Sequence, residues 1–184
     1  AKHGYLQTTI DRDGGHDEKT SGLDVSVVLA ALHASDLSGD TDAFMGVADD
    51  RVLATAIALE QRFVQDYTIN QRGLNDAGER LGAAIGRYPE DSYSGDDSYR
   101  VGSPWFLATA AYAELHYRVA SVFERRGEIR VTALNRVFFR SHVPLVRLVQ
   151  GEVIRKGRDT RFQSLIDGLR DAGDAYLRRV RMHA

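Results

Sequence analysis

Apolar side chains recur at three- and four-residue spacing in five stretches of this chain, the pattern of helices that each turn one face inward. In DVSVVLAALHA, Val25, Val28, Leu29 and Leu32 share a face, with Ser21 or Asp24 placed to cap the N-terminus. In DRVLATAIALEQRFVQDY the same role falls to Val52, Ala56, Leu59 and Phe63. PWFLATAAYAELHYRVASVFERR reads as the longest helix; Pro104 suits a first helical turn, and the alanines favour close approach to neighbours. TALNRVFFRSHVPLVRLVQ reads as helical to about His142, with Pro144 kinking or restarting it. In TRFQSLIDGLRDAGDAYLRRVRMH, Phe162, Leu165, Ile166, Leu169, Ala172, Tyr176, Leu177 and Val180 form one stripe.

Between these stretches lie connectors rich in Gly and Asp. GYLQTTID and GEVIRKG alternate in polarity over a few residues, which predicts short strands in small hairpins. No rhythm of βαβ units appears, so the pattern predicts an all-α fold built from antiparallel helix pairs. One connector stands apart. GRYPEDSYSGDDSYRVGSPWF, residues 86–106, holds two of the three prolines, the only tryptophan and three tyrosines. Its loop runs to about eighteen residues, and structureless loops that long are usually functional or disordered. The aromatic content favours function.

Composition narrows the field. At 184 residues, 43% hydrophobic and 27% charged, with a mean hydropathy of -0.33, the chain matches one soluble domain. A net charge of -2 argues against nucleic acid, which requires an excess of Lys and Arg. With no cysteine there are neither disulfides nor thiolate metal sites. The N-terminal stretch lacks the apolar core of a signal peptide, and no apolar run of roughly 18 residues suggests a membrane span. A first residue of Ala rather than Met suggests processing or excision from something longer.

Phosphate-loop, dinucleotide, nucleophile-elbow and zincin motifs are absent. DRDGGHDE, from Asp11 to Glu18, is acidic, but its glycines do not fall where an EF-hand needs one. The six histidines lack ligand spacing, so no metal is expected; no cofactor is indicated. RRVRMH at the end of the chain reads as a solvated basic helix face.

The Gly86 loop carries chemistry of another kind. Arg87 supplies a planar fork of donors, Glu90 and Asp91 supply acceptors, and Tyr88, Tyr93, Tyr99 and Trp105 supply flat apolar faces with polar edges. A pyranose takes such a mixture, with hydroxyls at its rim and C–H faces that pack on rings. Composition alone favours a plainer account, in which Arg87 and Asp91 brace the loop internally while Trp105 fills the core. A non-catalytic helical scaffold or sugar-binding module would fit that account.

Taken in order, SGLDVSVVLAALHAS, DDRVLATAIALEQRF, DYTIN, GRYPED and PWFLATAAYAELHYR resemble the glucoamylase family, glycoside hydrolase family 15. GRYPED followed by PWFLAT is the specific part of the likeness, since helical periodicity would not produce it. The C-terminal segment, with Phe138, Phe139 and GDAYLRRVRMH, fits more loosely, and residues 94–102 look longer than the fungal pattern. The resemblance implies an (α/α)6 barrel, a toroid of helix hairpins with the active pocket at one end, of which residues 1–184 would be one portion with no separate second domain. It implies an exo-acting, inverting α-glucosidase that releases glucose from the non-reducing ends of α-glucans or maltooligosaccharides, and it favours a secreted or periplasmic setting.

Carried onto this chain, the family pattern makes Arg87 a sugar-binding residue, with Tyr88 and Asp91 shaping its setting and Trp105 in the aromatic wall. Glu90 and Tyr93 are further candidates. The resemblance places no catalytic residue in this chain: the family's general acid lies on a loop before the matched region and its general base in a Ser-Glu-Gln motif shortly after it. Five helices also fall short of the twelve a closed toroid needs. The remaining part of the catalytic domain, covalent or from another chain, is therefore an expected partner, and neither nucleic acid nor membrane is.

Overall fold

The computed structural model describes residues 4–8, 19–35, 44–93 and 102–184. The acidic run from Asp11 to Glu18, together with His3, His16 and Tyr99, lies outside them. Five α-helices form where the apolar spacing places them: α1 (Ser26–Ala34), α2 (Asp50–Asp66), α3 (Phe106–Arg126), α4 (Ala133–His142) and α5 (Thr160–His183). A 3-10 turn, Thr68–Gln71, follows α2, and two short strands, β1 (Glu128–Arg130) and β2 (Val153–Arg155), flank α4.

The helix ends follow local chemistry. Asp49 caps α2 by accepting from the Arg51 N–H, and Asp159 does the same for α5 through the Arg161 N–H. Thr132 and Asn135 exchange side-chain and backbone hydrogen bonds as a capping box at the start of α4. Asp24 Oδ1 holds the Ser26 N–H at the start of α1, whereas Ser21 is drawn away to Glu90. No helix restarts at Pro144: only β2 stands between α4 and the start of α5 at Thr160.

Packing departs from the simplest hairpin expectation. α3 and α5 form a long antiparallel pair although α4 lies between them in sequence: Tyr112 meets Tyr176 at 5.5 Å, and Arg170 reaches Glu124 at 2.6 Å further along. α2 and α4 lie side by side in the same direction, joined by Asn135 to Asp50 at one end and His142 to Glu60 at the other. α1 touches both α2 and α3. The core runs between these layers, with Leu53, Leu59, Phe63, Leu115, Phe138 and Leu165 fully buried.

Four local expectations need correction. β2 is a strand, but its antiparallel partner is β1, so α4 rather than a tight turn joins the pair, and Ile129 and Ile154 are buried in register. The described part of GYLQTTID forms no strand, because Leu6 N–H bonds the Thr55 hydroxyl and Thr8 N–H the Gly22 carbonyl. α5, at 24 residues, is longer than α3, at 21. Helix α3 begins at Phe106, because Trp105 is extended and its N–H is taken by the Ile85 carbonyl; Pro104 thus stands outside the helix.

The C-terminal stripe also shifts. Leu177 is exposed, and Arg179 takes the buried position one turn after Tyr176. Rather than belonging to a solvated basic face, Arg179 donates to the carbonyls of Gly82, Ile69 and Arg72. Burial of the guanidinium, with Arg72 nearby, lowers its pKa from the ordinary arginine range.

That clamp introduces the element that positions the candidate site. Residues 82–87 belong to no helix and pair with no strand. Four of them, Gly82, Ala84, Ile85 and Arg87, bond instead to side chains and to backbone groups of neighbouring elements. Gly82 N–H donates to the Ala175 carbonyl; Ala84 exchanges two bonds with the Asn70 amide; Ile85 N–H donates to the Thr109 hydroxyl; and the Arg87 carbonyl accepts from Val25 N–H. The segment is thus held by α1, the 3-10 turn, α3 and α5 together.

Candidate functional site

Arg87 emerges at the end of this buried segment. Its Nε and Nη2 donate to the two Asp91 oxygens at 2.6 Å each, a bidentate fork that leaves Nη1 outside the clamp. The Asp91 side chain is sealed at 1% exposure, while that of Arg87 keeps 32%. Burial alone would raise the Asp91 pKa, but bonds from Arg87 and from the Tyr93 N–H outweigh it and hold the carboxyl below its usual range. The pair therefore stays ionised and presents a fixed cation at the surface.

Three rings surround that cation. The guanidinium carbon stands 4.9 Å from the Trp105 ring centre and 5.4 Å from those of Tyr88 and Tyr93. Lys19, paired with Asp24, covers the Tyr88 ring at 3.9 Å. Trp105 is 37% exposed and Tyr93 is 62% exposed. The bracing pair expected from composition is present, but Trp105 does not fill the core.

Glu90 diverges from its neighbour. Its carboxylate accepts from the Ser21 N–H and hydroxyl at 2.8 and 3.0 Å and from the Thr20 hydroxyl at 3.2 Å, which ties the loop to the segment ahead of α1. Glu90 and Asp91 are thus both engaged, on opposite errands. Of the six candidates, the structure brings together Arg87, Tyr88, Asp91, Tyr93 and Trp105, and sets Glu90 against residues 20–21.

Two glycines permit this closeness. A Cβ on Gly86 would stand 2.0 Å from the Tyr67 hydroxyl, and one on Gly102 would stand 2.8 Å from the Asp91 carbonyl. Tyr67 stacks on Phe63 at 5.1 Å, and burial, reinforced by the charges of Asp91 and Asp66, pushes its phenol well above the ordinary range. Sequence reasoning passed over Tyr67, Asn70 and Thr109. DYTIN and PWFLAT contain all three, but nothing in their spacing says that Asn70 and Thr109 bond the backbone of residues 84 and 85 or that Tyr67 packs against Gly86.

Two hollows lie on the Trp105 side of the site, and Arg87 lines neither. One, of about 390 Å³, is bounded by Tyr67, Ile69, Gly102 and Pro104; a smaller apolar cleft of about 70 Å³ runs between Trp105, Arg179 and His183. Among the described residues no group of three or more His, Asp or Glu side chains is arranged to hold a metal, and no helix is long and apolar enough to cross a membrane.

Residues 2–184 match the family described as Glycosyl hydrolases family 15. Glucoamylase 1 of Rhizopus oryzae is 33% identical over 184 residues, covering all of this chain and 28% of that protein. The glucoamylase of Blastobotrys adeninivorans is 33% identical over 165 residues, covering 90% of this chain and 26% of that protein. Among solved structures, the Hypocrea jecorina family 15 glucoamylase superposes with a TM-score of 0.75 at 30% identity, covering 96% of this chain and 27% of that one. The Hormoconis resinae glucoamylase gives a TM-score of 0.79 at 27% identity, covering 98% and 28%. The chain thus spans little more than a quarter of the length of these relatives, and its helices are part of an (α/α)6 barrel. With the helical order, the GRYPED loop and the family match over residues 2–184 in agreement, this chain belongs to glycosyl hydrolases family 15.

Proposed function

We propose that residues 1–184 are one portion of a glucoamylase-type catalytic domain, with no separate second domain, in an exo-acting, inverting α-glucosidase. The enzyme would release glucose from the non-reducing ends of α-glucans or maltooligosaccharides. The single observation that carries this reading is the Arg87 guanidinium, locked to a buried Asp91 and framed by Tyr88, Tyr93 and the half-exposed Trp105. A clamped fork gives directed hydrogen bonds to sugar hydroxyls, and the rings offer faces for the C–H side of a pyranose.

The chain's part is binding rather than bond cleavage. Inversion requires an acid and a base about 6.5–9.5 Å apart across the scissile bond. Asp91 is spent on Arg87 and Glu90 on residues 20–21, so neither is available to protonate a leaving group or activate water. Acid and base come from sequence outside residues 1–184. The exposed Phe106 and Leu107 at the start of α3, 53% and 59% accessible, offer an apolar edge for the remainder of the toroid.

Proton NMR of maltose hydrolysis by the complete enzyme should show β-glucose first, and the 184-residue polypeptide alone should release none. Initial α-glucose would refute inversion. Glucose release by the isolated chain would refute the placement of acid and base outside it.

A further inference from the structure

We propose that Thr109 is a positioning residue for the sugar site, fixing the separation of Arg87 and Trp105; this rests on the reading of those two residues as a sugar-binding wall. Thr109 is 3% exposed on the first turn of α3, at the floor of the apolar cleft beside Trp105, and its hydroxyl is committed to the backbone on both sides. Its hydroxyl accepts from the Ile85 N–H at 3.0 Å and donates to the Trp105 carbonyl at 3.0 Å. The Trp105 N–H in turn donates to the Ile85 carbonyl at 2.8 Å.

These three bonds close a ring between two segments that share no sheet. One segment leads through Gly86 directly into Arg87; the other carries Trp105. Without the hydroxyl, the buried Ile85 N–H loses the acceptor it has here. Ile85 must then move to find one. Movement there translates into the guanidinium-to-indole distance, which is 4.9 Å, because Ile85 is bonded to Trp105 on one side and leads through Gly86 into Arg87 on the other. Small displacements of binding groups cost rate out of proportion to their size, since the substrate is then held away from the reactive geometry.

The test is a double-mutant cycle in the complete enzyme, read as kcat and KM on maltose. Thr109→Val should lower kcat/KM by about tenfold and Thr109→Ser by less than about twofold, because serine keeps the strong acceptor and valine removes it. In an Arg87→Ala background the valine substitution should cost less than about twofold, since the distance it perturbs no longer matters. Thr109→Cys, close to the native shape but a weak acceptor, should fall between serine and valine, and it carries the same comparison if the valine variant does not fold.

Full activity of Thr109→Val beside an impaired Arg87→Ala would overturn the positioning role and leave the sugar site standing. Equal losses in the two backgrounds would also overturn it, because a purely structural residue acts without regard to Arg87. Unchanged activity of Arg87→Ala by itself would instead overturn the sugar site on which the inference rests.

Discussion

Two acid–base pairs in this chain are built from similar parts and do opposite things. Arg87 and Asp91 sit four residues apart in a non-helical loop; Glu60 and His142 come together from α2 and α4 at 3.2 Å. In the first pair the acid is sealed and the base keeps a third of its exposure. In the second both sides are enclosed, His142 at 2% and Glu60 at 15%, beneath the rings of His116, Phe138 and Tyr176. Burial pushes the Glu60 pKa up, but His142, His116 and Tyr176 together hold it below the ordinary carboxylate range. Burying a charge is costly in either place and is tolerated only with a close partner. The difference lies in what remains open. A pair sealed on one side presents an oriented cation to solvent and can meet a ligand. A pair sealed on both sides can only hold helices together.

Breaking the first pair tests the binding half of that contrast and should have the largest effect. In the complete enzyme Arg87→Ala should lower kcat/KM on maltose by about tenfold to a hundredfold, the loss of about 1.5–3 kcal/mol from hydrogen bonds made by a charged donor. Steady-state kinetics would check this. Unaltered kinetics would show that an open, oriented cation is not enough to make a site.

A steric probe sharpens the comparison by moving the pair without removing it. Gly86→Ala places a methyl group against the Tyr67 hydroxyl and the Phe63 ring, with too little space for either. Overpacking of this kind costs about 1–3 kcal/mol. A lower urea midpoint should accompany weakened maltose binding. A wild-type midpoint would mean that Tyr67 yields freely and the platform is softer than its packing implies.

The sealed cluster should reveal itself in acid rather than in activity. His116 is pushed down to about 3, chiefly by burial and secondarily by His142. Its Nδ1 lies 2.7 Å from the Tyr112 carbonyl, where the neutral ring donates. An unfolded chain takes up a proton at this imidazole near pH 6.5 and the folded one does not until about pH 3, so stability falls as pH drops through that window. Between pH 7 and pH 5 the contribution is about 1–2 kcal/mol. Asp91 and Glu60, with lowered pKa values, add their losses only below the ordinary carboxylate range. His116→Phe should therefore flatten the urea midpoint between pH 7 and pH 5 and leave the fall at lower pH intact. Exposed His183, also lowered by partial burial and by Arg179 and Arg72, accounts for a small residual slope. An unchanged slope in the variant would locate the acid sensitivity elsewhere.

Much of this was legible from spacing. α2 buries Val52, Ala56, Leu59 and Phe63 as expected, because a helix facing a core must repeat its apolar residues every three to four positions. The same logic failed at the end of α5, where Arg179 looked like a solvated residue of RRVRMH. Its three carbonyl partners come from residues 69, 72 and 82, about a hundred positions away, and no local pattern announces them. Likewise the residues of the fork of Arg87 onto Asp91 and the two alternatives for Trp105, core filler or pocket wall, are legible in the sequence, but not which of the two Trp105 takes. Whether an indole is buried depends on what else occupies the core.

From the sequence alone came five amphipathic helices, a loop with the chemistry of sugar contact and a family likeness carried by GRYPED and PWFLAT. Those features are local: propensity, periodicity and residue type act within a few positions of one another. Only the tertiary structure decided that α3 pairs with α5 across α4, that residues 82–87 are fastened by Asn70, Thr109 and Arg179, and that the cation of Arg87 faces outward while Glu60 and His142 are closed in. A buried backbone group must find a partner wherever the fold supplies one. The identity of that partner is a property of the whole chain, so only the assembled fold reveals which side chains hold the site in place.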